Sequence, residues 1–87
     1  MKTFDELYDE LVARAESGDA ESNTVKLLAG GVHDIGKKVV EEAAAARMAA
    51  EYEGNERTAE EISQLLYHAA VMMVARGITP ADIYKQL

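Results

Sequence analysis

The sequence contains no cysteine, so no disulfide can stabilise the fold, and a cytosolic location is the simplest interpretation. It has only one proline and six glycines, too few for a fibrous or disordered chain. Residues 1–6 lack the apolar core of a signal peptide. No apolar run reaches the roughly 20 residues that a helix needs to span a bilayer. We therefore expect a cytoplasmic protein without a membrane partner.

Acidic residues outnumber basic ones by 16 to 9, giving a formal net charge of −7. This charge disfavours binding to the backbone of a nucleic acid, so we expect no nucleic-acid partner. It fits a protein that binds cations, or simply a soluble surface. The 87 residues are expected to form one domain, 1–87. A chain of this size buries only about 60–65% of its unfolded surface, so its core must be small.

Apolar residues recur at every third or fourth position, and no segment shows the alternation of a strand. Thr3 and Glu6 have the spacing of a capping box, while Gly54 and Gly77 are placed to end two long helices. The predicted fold is all-α, with two long antiparallel helices and short flanking helices. The predicted helices start at Thr3 and cover 25–29 (capped by Asn23 or Thr24), 32–53, 57–76 and 80–87.

The second long helix is apolar on almost every side between Leu65 and Ala75. Such a helix must be covered all round, and one small chain has little with which to cover it. We therefore expect a homodimer in which two long helices from each protomer form a four-helix-bundle core. The alternative is a monomer with a thin core.

Two pairs of glutamates occur on the long helices, Glu41 with Glu42 and Glu60 with Glu61. If the helices run antiparallel through a turn at Gly54, the two pairs can face each other. Carboxylates that face each other across a bundle bind hard cations such as Mg²⁺ or Mn²⁺. The alternative is that these side chains are simply solvated.

The stretches 31–43 and 59–68 resemble the phosphoribosyl-ATP pyrophosphohydrolases of histidine biosynthesis, especially their actinobacterial members. Val74-Ala75-Arg76-Gly77 and Asp82-Ile83-Tyr84 extend the resemblance over nearly the whole chain. The wider group is the all-α nucleotide pyrophosphohydrolases, which carry a Glu-Glu-x-x-Glu motif and a downstream Glu-x-x-Asp motif. The resemblance implies Mg²⁺-dependent hydrolysis of phosphoribosyl-ATP to phosphoribosyl-AMP and pyrophosphate.

The same resemblance implies roles for individual residues. The metal ligands, for Mg²⁺ or alternatively Mn²⁺, would be Glu41, Glu42 and Glu61. The third glutamate of the first motif falls on Ala45, so we expect weakened metal binding and impaired native activity. No catalytic residue is assigned. The expected substrate-binding residues are Lys37, Lys38, Gln64 (at the position of the downstream aspartate) and Arg76.

The departures from the family pattern are clustered. The resemblance implies Ala-Glu-Val-Trp-Met at 44–48, and a large aliphatic residue followed by glutamine after His68. One interpretation is an inactivated natural hydrolase, and a second is alanine substitution that adjusts packing or assembly. A third is an engineered variant with a new pocket or interface, serving as a ligand binder, a designed assembly or a redesigned enzyme that uses Arg47 or His68. The altered region comprises Ala45, Ala46, Arg47, His68, Ala69 and Ala70.

Overall fold

A computed structural model describes residues 1–87 and contains helices without any strand, which confirms the all-α class. Helices α3 and α4 share the most extensive interface and run antiparallel on either side of Gly54. None of the helices combines the length and apolar character that crossing a membrane requires. The helices are α1 (Phe4–Ser17), α2 (Asn23–Gly30), α3 (Val32–Met48), α4 (Asn55–Arg76) and α5 (Pro80–Gln86).

The predicted capping box begins α1. Thr3 Oγ1 accepts a hydrogen bond from the Glu6 N–H at 3.1 Å, and Glu6 Oε1 accepts one from the Thr3 N–H at 3.0 Å. The cap of α2 differs from the prediction, because the Ser22 side chain accepts from the Val25 N–H and the helix therefore begins at Asn23. Both helix starts follow from a hydroxyl that satisfies a free N–H group.

The predicted helix over 32–53 is α-helical only as far as Met48. The segment Ala49–Glu53 forms a π-helical turn, in which the Gly54 N–H donates to the Ala49 carbonyl at 3.1 Å. Gly54 then has φ 97°, a conformation that favours glycine and reverses the chain direction. Helix α4 follows immediately from Asn55, two residues before its predicted start at position 57.

The core joins α1, α3 and α4 through four fully buried residues, which are Leu11, Ile35, Ala70 and Val71. Only 8 of the 87 residues are buried in the chain taken alone. Large apolar side chains consequently remain exposed to solvent: Val40 is 69% exposed and Leu66 is 46% exposed. The α3–α4 pair thus has an apolar face that its own chain does not cover.

Two long-range hydrogen bonds attach the short helices to this frame. The hydroxyls of Thr24 and Tyr67 lie 2.7 Å apart and connect α2 to α4, with Thr24 fully buried. The Tyr84 hydroxyl donates to the Asp5 carboxylate and connects α5 to α1. This hydrogen bond raises the pKa of Tyr84, because the phenolate form would lose the donated proton.

Leu11→Ala should lower the free energy of unfolding by about 2–5 kcal/mol, because it leaves a cavity in the core. Leu87→Ala removes the same atoms from a residue that is 97% exposed, and should change stability by less than about 0.5 kcal/mol. Urea denaturation followed by circular dichroism measures both values. Equal losses for the two variants would contradict the assignment of the core.

The capping box should make stability depend on pH. Hydrogen bonds from Thr3 lower the pKa of Glu6 below 4.5 in the folded protein. The contribution of Glu6 to the free energy of unfolding is therefore fully present above the pKa that Glu6 has in the unfolded chain. It is lost as the pH falls through the pKa that Glu6 has in the folded protein. The stability advantage of the natural chain over Glu6→Gln should shrink between pH 7 and pH 3 in urea denaturation. A difference that did not vary with pH would contradict this role.

Candidate metal and phosphate site

The register between α3 and α4 decides which of the predicted site residues can meet. Met72 packs over Gly36: a Cβ added at Gly36 would lie 3.7 Å from the terminal methyl of Met72, an ordinary van der Waals contact. Ile35 shares the buried core with Val71. These two observations place residue 35 of α3 at the level of residues 71–73 of α4.

Because the two helices are antiparallel, each residue forward along α3 corresponds to one residue back along α4. This count shows which residues of the two helices lie opposite each other at the predicted metal site. Ala45 lies level with residues 61–63, a stretch that begins at Glu61, and Glu42 lies level with residues 64–66, a stretch that begins at Gln64. Each helix therefore contributes one carboxylate and one residue that is not a carboxylate. The two levels are three residues apart, which is roughly 4.5 Å along a helix.

The two remaining carboxylates differ in their surroundings. Glu42 is half-buried. The Glu61 side chain is only 14% exposed, and its Oε1 accepts a hydrogen bond from Arg57 Nη2 at 2.8 Å. Glu41, by contrast, is exposed and forms an ion pair of 3.5 Å with Lys38. The structure does not gather three or more acidic or histidine side chains closely enough to enclose a metal ion.

The donor chemistry nevertheless fits a hard divalent cation. Mg²⁺ commonly keeps several waters and takes one or two carboxylates together with substrate phosphates, rather than a complete protein cage. Glu42 and Glu61 can supply those two carboxylates. The position that would complete the set is Ala45, which has no oxygen in its side chain.

An open groove of about 600 Å³ lies along the first half of α3 and against Met72 of α4, and it includes Glu41 but not Glu42, Ala45 or Glu61. Lys37 lines this groove and forms no salt bridge, so its ammonium group is free to bind an anion. Lys38 is engaged with Glu41 instead. The groove is lined by Val32, His33, Gly36, Lys37, Val40, Glu41 and Met72.

Two of the other predicted substrate residues lie in very different places. Gln64 is exposed on α4 at about the level of Glu42. Arg76 lies in the last turn of α4, where its positive charge interacts favourably with the negative end of the helix dipole. Fifteen residues separate Arg76 from Glu61, which is roughly 22 Å along the helix. Arg76 therefore cannot contact a phosphate bound next to Glu61 of the same chain.

The altered region does not form a single cavity. The levels of Ala45 and Ala69 are roughly 12 Å apart along the helix pair, and Ala70 is buried in the core. Arg47 is exposed, with its Nε 2.8 Å from Glu51 Oε1. Ala69 instead lines an apolar groove of about 360 Å³ together with Phe4, Val39, Leu66, Met72, Met73, Ile78 and Ile83.

His68 is buried on α4, with its ring edge-on to Tyr67 at a centroid distance of 5.0 Å. Its Nδ1 lies 2.8 Å from the carbonyl oxygen of Gln64. Because a carbonyl can only accept, Nδ1 carries the proton, and Nε2 of the neutral ring is left with the lone pair. Nε2 is consequently the atom through which His68 could act as a base or a ligand.

Arg57 is not among the residues predicted from the sequence, and its guanidinium joins three carboxylates at the start of α4. Nη1 lies 2.8 Å from Glu60 Oε2, Nη2 lies 2.8 Å from Glu61 Oε1, and Nε lies 3.4 Å from Glu53 Oε1. The spacings of three and four residues are those of neighbours on a helix surface. These spacings can be read from the sequence, and they are the signal by which Arg57 could have been identified as a partner of the three glutamates.

A family profile described as phosphoribosyl-ATP pyrophosphohydrolase matches residues 4–87. The helical fold and this match define the class, and the chain belongs to the phosphoribosyl-ATP pyrophosphohydrolase family. The resemblance in the sequence is thereby confirmed.

Three curated relatives bear the name phosphoribosyl-ATP pyrophosphatase. The protein of Streptomyces coelicolor is 63% identical over 87 residues, covering 99% of this chain and 97% of the relative. The Streptomyces avermitilis protein is 62% identical with the same coverage. The Bifidobacterium adolescentis protein is 60% identical, and the alignment covers both chains fully.

Proposed function

We propose that this chain is a phosphoribosyl-ATP pyrophosphohydrolase scaffold whose hydrolysis of phosphoribosyl-ATP to phosphoribosyl-AMP and pyrophosphate is impaired by a missing metal ligand. The family match over 4–87 supports the reaction class. The observation that carries the impairment is the position of Ala45, level with Glu61 across the α3–α4 pair. The absence of cysteine fits a cytoplasmic location.

In this proposal, Glu42 and Glu61 hold Mg²⁺, with Mn²⁺ as the alternative ion. The bound ion would neutralise phosphate oxygens and help to polarise the attacking water. Lys37, which lines the groove that also contains Glu41, binds a phosphate oxygen of the substrate as a point charge. The Gln64 amide, at the level of Glu42, donates a hydrogen bond to the same substrate.

The loss at position 45 matters because a divalent cation is strongly hydrated. Each carboxylate that binds the ion offsets part of the free energy needed to remove its water. With two carboxylates instead of three, more of the coordination must come from water and from the substrate. Metal affinity therefore falls first, and catalytic activity falls with it.

We further propose that the working unit is a homodimer. The uncovered face of α3 and α4 carries Val40, Ile62 and Leu66, all of them at least 43% exposed. A second copy of this face would cover these side chains and complete a four-helix core. A two-fold arrangement lets the same patch serve both protomers.

Ala45→Glu should restore Mg²⁺-dependent release of pyrophosphate from phosphoribosyl-ATP by about tenfold or more, because it returns a carboxylate level with Glu61. Ala44→Glu is the matched control: it adds the same charge at the neighbouring, exposed position and should restore nothing. A coupled pyrophosphate assay with and without Mg²⁺ measures both variants. If Ala45→Glu remained inactive, the missing ligand would not explain the impairment.

Leu66→Asp should convert the dimer to a monomer, because it places a charge in the centre of the proposed interface. Leu87→Asp introduces the same side chain at a residue that is 97% exposed, and should leave the dimer intact. Size-exclusion chromatography with light scattering gives the mass of each variant. A natural chain that eluted as a monomer at micromolar concentration would overturn the proposed assembly.

A further inference from the structure

Arg57 lies among three carboxylates and uses a different nitrogen for each of them, as described above. Its bonds to Glu60 and Glu61 are both 2.8 Å long, within the range of charge-assisted hydrogen bonds. Hydrogen bonds to Glu60 and Glu53 raise the pKa of Arg57 above its usual value, so the group stays charged. The guanidinium is therefore a permanent cation at the first turns of α4.

The three carboxylates are not equivalent partners. The side chain of Glu60 is 60% exposed and that of Glu53 is 43% exposed, whereas that of Glu61 is only 14% exposed. Solvent and salt screen an ion pair less when one partner is removed from water. The ion pair with Glu61, which is also the proposed metal ligand on α4, is therefore the least screened of the three.

We propose that Arg57 competes with a divalent cation for the Glu61 carboxylate: it binds the group that the cation would need, and thereby weakens metal binding. The inference rests on the proposed function, because it takes Glu61 as a ligand of the cation. Arg57 acts through Glu61, and is therefore a positioning residue rather than a catalytic one. The competition adds to the loss of a ligand at Ala45.

The competition follows from charge and geometry. A carboxylate oxygen that accepts from Nη2 at 2.8 Å has part of its negative charge neutralised, and its side chain is held toward Arg57. A divalent cation that binds this carboxylate must therefore either displace the guanidinium or bind a group whose charge is already partly neutralised, close to a second positive charge. Removal of Arg57 leaves Glu61 free and makes the local potential more negative, and both changes favour the cation.

The direct test is Mn²⁺ affinity, measured without substrate by electron paramagnetic resonance of the free ion at constant ionic strength. Arg57→Gln should bind Mn²⁺ about threefold to fivefold more tightly than the natural chain, the range expected when one exposed ion pair is removed. The matched control is Arg47→Gln, which removes the same charge from the pair with Glu51. The Mn²⁺ affinity of Arg47→Gln should equal that of the unchanged chain. Equal gains in Mn²⁺ affinity in the two variants would show that the effect comes from net charge alone, and would overturn the proposal.

A second set of variants identifies the carboxylate that is responsible for the gain in Mn²⁺ affinity. In the Arg57→Gln background, Glu61→Gln should abolish the added affinity, whereas Glu60→Gln should preserve most of it. Arg57→Lys should give an intermediate affinity, because a single ammonium cannot make the three separate contacts of the guanidinium. If Glu60→Gln removed the gain and Glu61→Gln did not, the ion would be bound at the surface and the proposal would be wrong.

Ala45→Glu separates this inference from the proposed function. If it raises Mn²⁺ affinity and Arg57→Gln does not, the metal site stands and the competition by Arg57 is refuted. If Arg57→Gln raises the affinity through Glu61 and Ala45→Glu does not, Arg57 is a competitor but the proposed hydrolase site is wrong. If neither variant binds Mn²⁺ more tightly, both proposals fail.

Discussion

The antiparallel register of α3 against α4 is the constraint on which the rest of the molecule depends. Met72 of α4 packs over Gly36 of α3, and Ile35 shares the buried core with Val71. Once this contact is fixed, helical geometry determines the level of every other residue on the pair. A site that uses both helices can thus be disturbed by a packing change several turns away from it.

The sequence predicted the helices well because their signals are local. A capping hydroxyl, a glycine at a turn and an apolar period each act over a few residues, so the helix starts at Thr3 and Pro80 and the helix end at Gly77 could be recognised directly. The wide turn at Ala49–Glu53 could not, because its i+5 hydrogen bond has no distinct sequence pattern.

The candidate site was predicted less completely, because it depends on contacts between helices. The sequence indicated that Glu42 and Glu61 lie on facing helices, but not that Glu61 lies level with Ala45. The altered stretches also lie on facing helices, yet the antiparallel register places them at different heights along the pair. The family resemblance gave no role to Arg57, which lies outside both motifs.

The π-helical turn makes the end of α3 intolerant of changes in length. An α-helix advances about 100° per residue, so deleting one residue from Ala49–Glu53 would rotate everything before it against α4. Glu42 would then swing away from the facing helix even though no side chain had been replaced. Evolution or protein engineering can therefore lengthen the loop after Gly18 far more readily than this segment, whose residue count is itself part of the site.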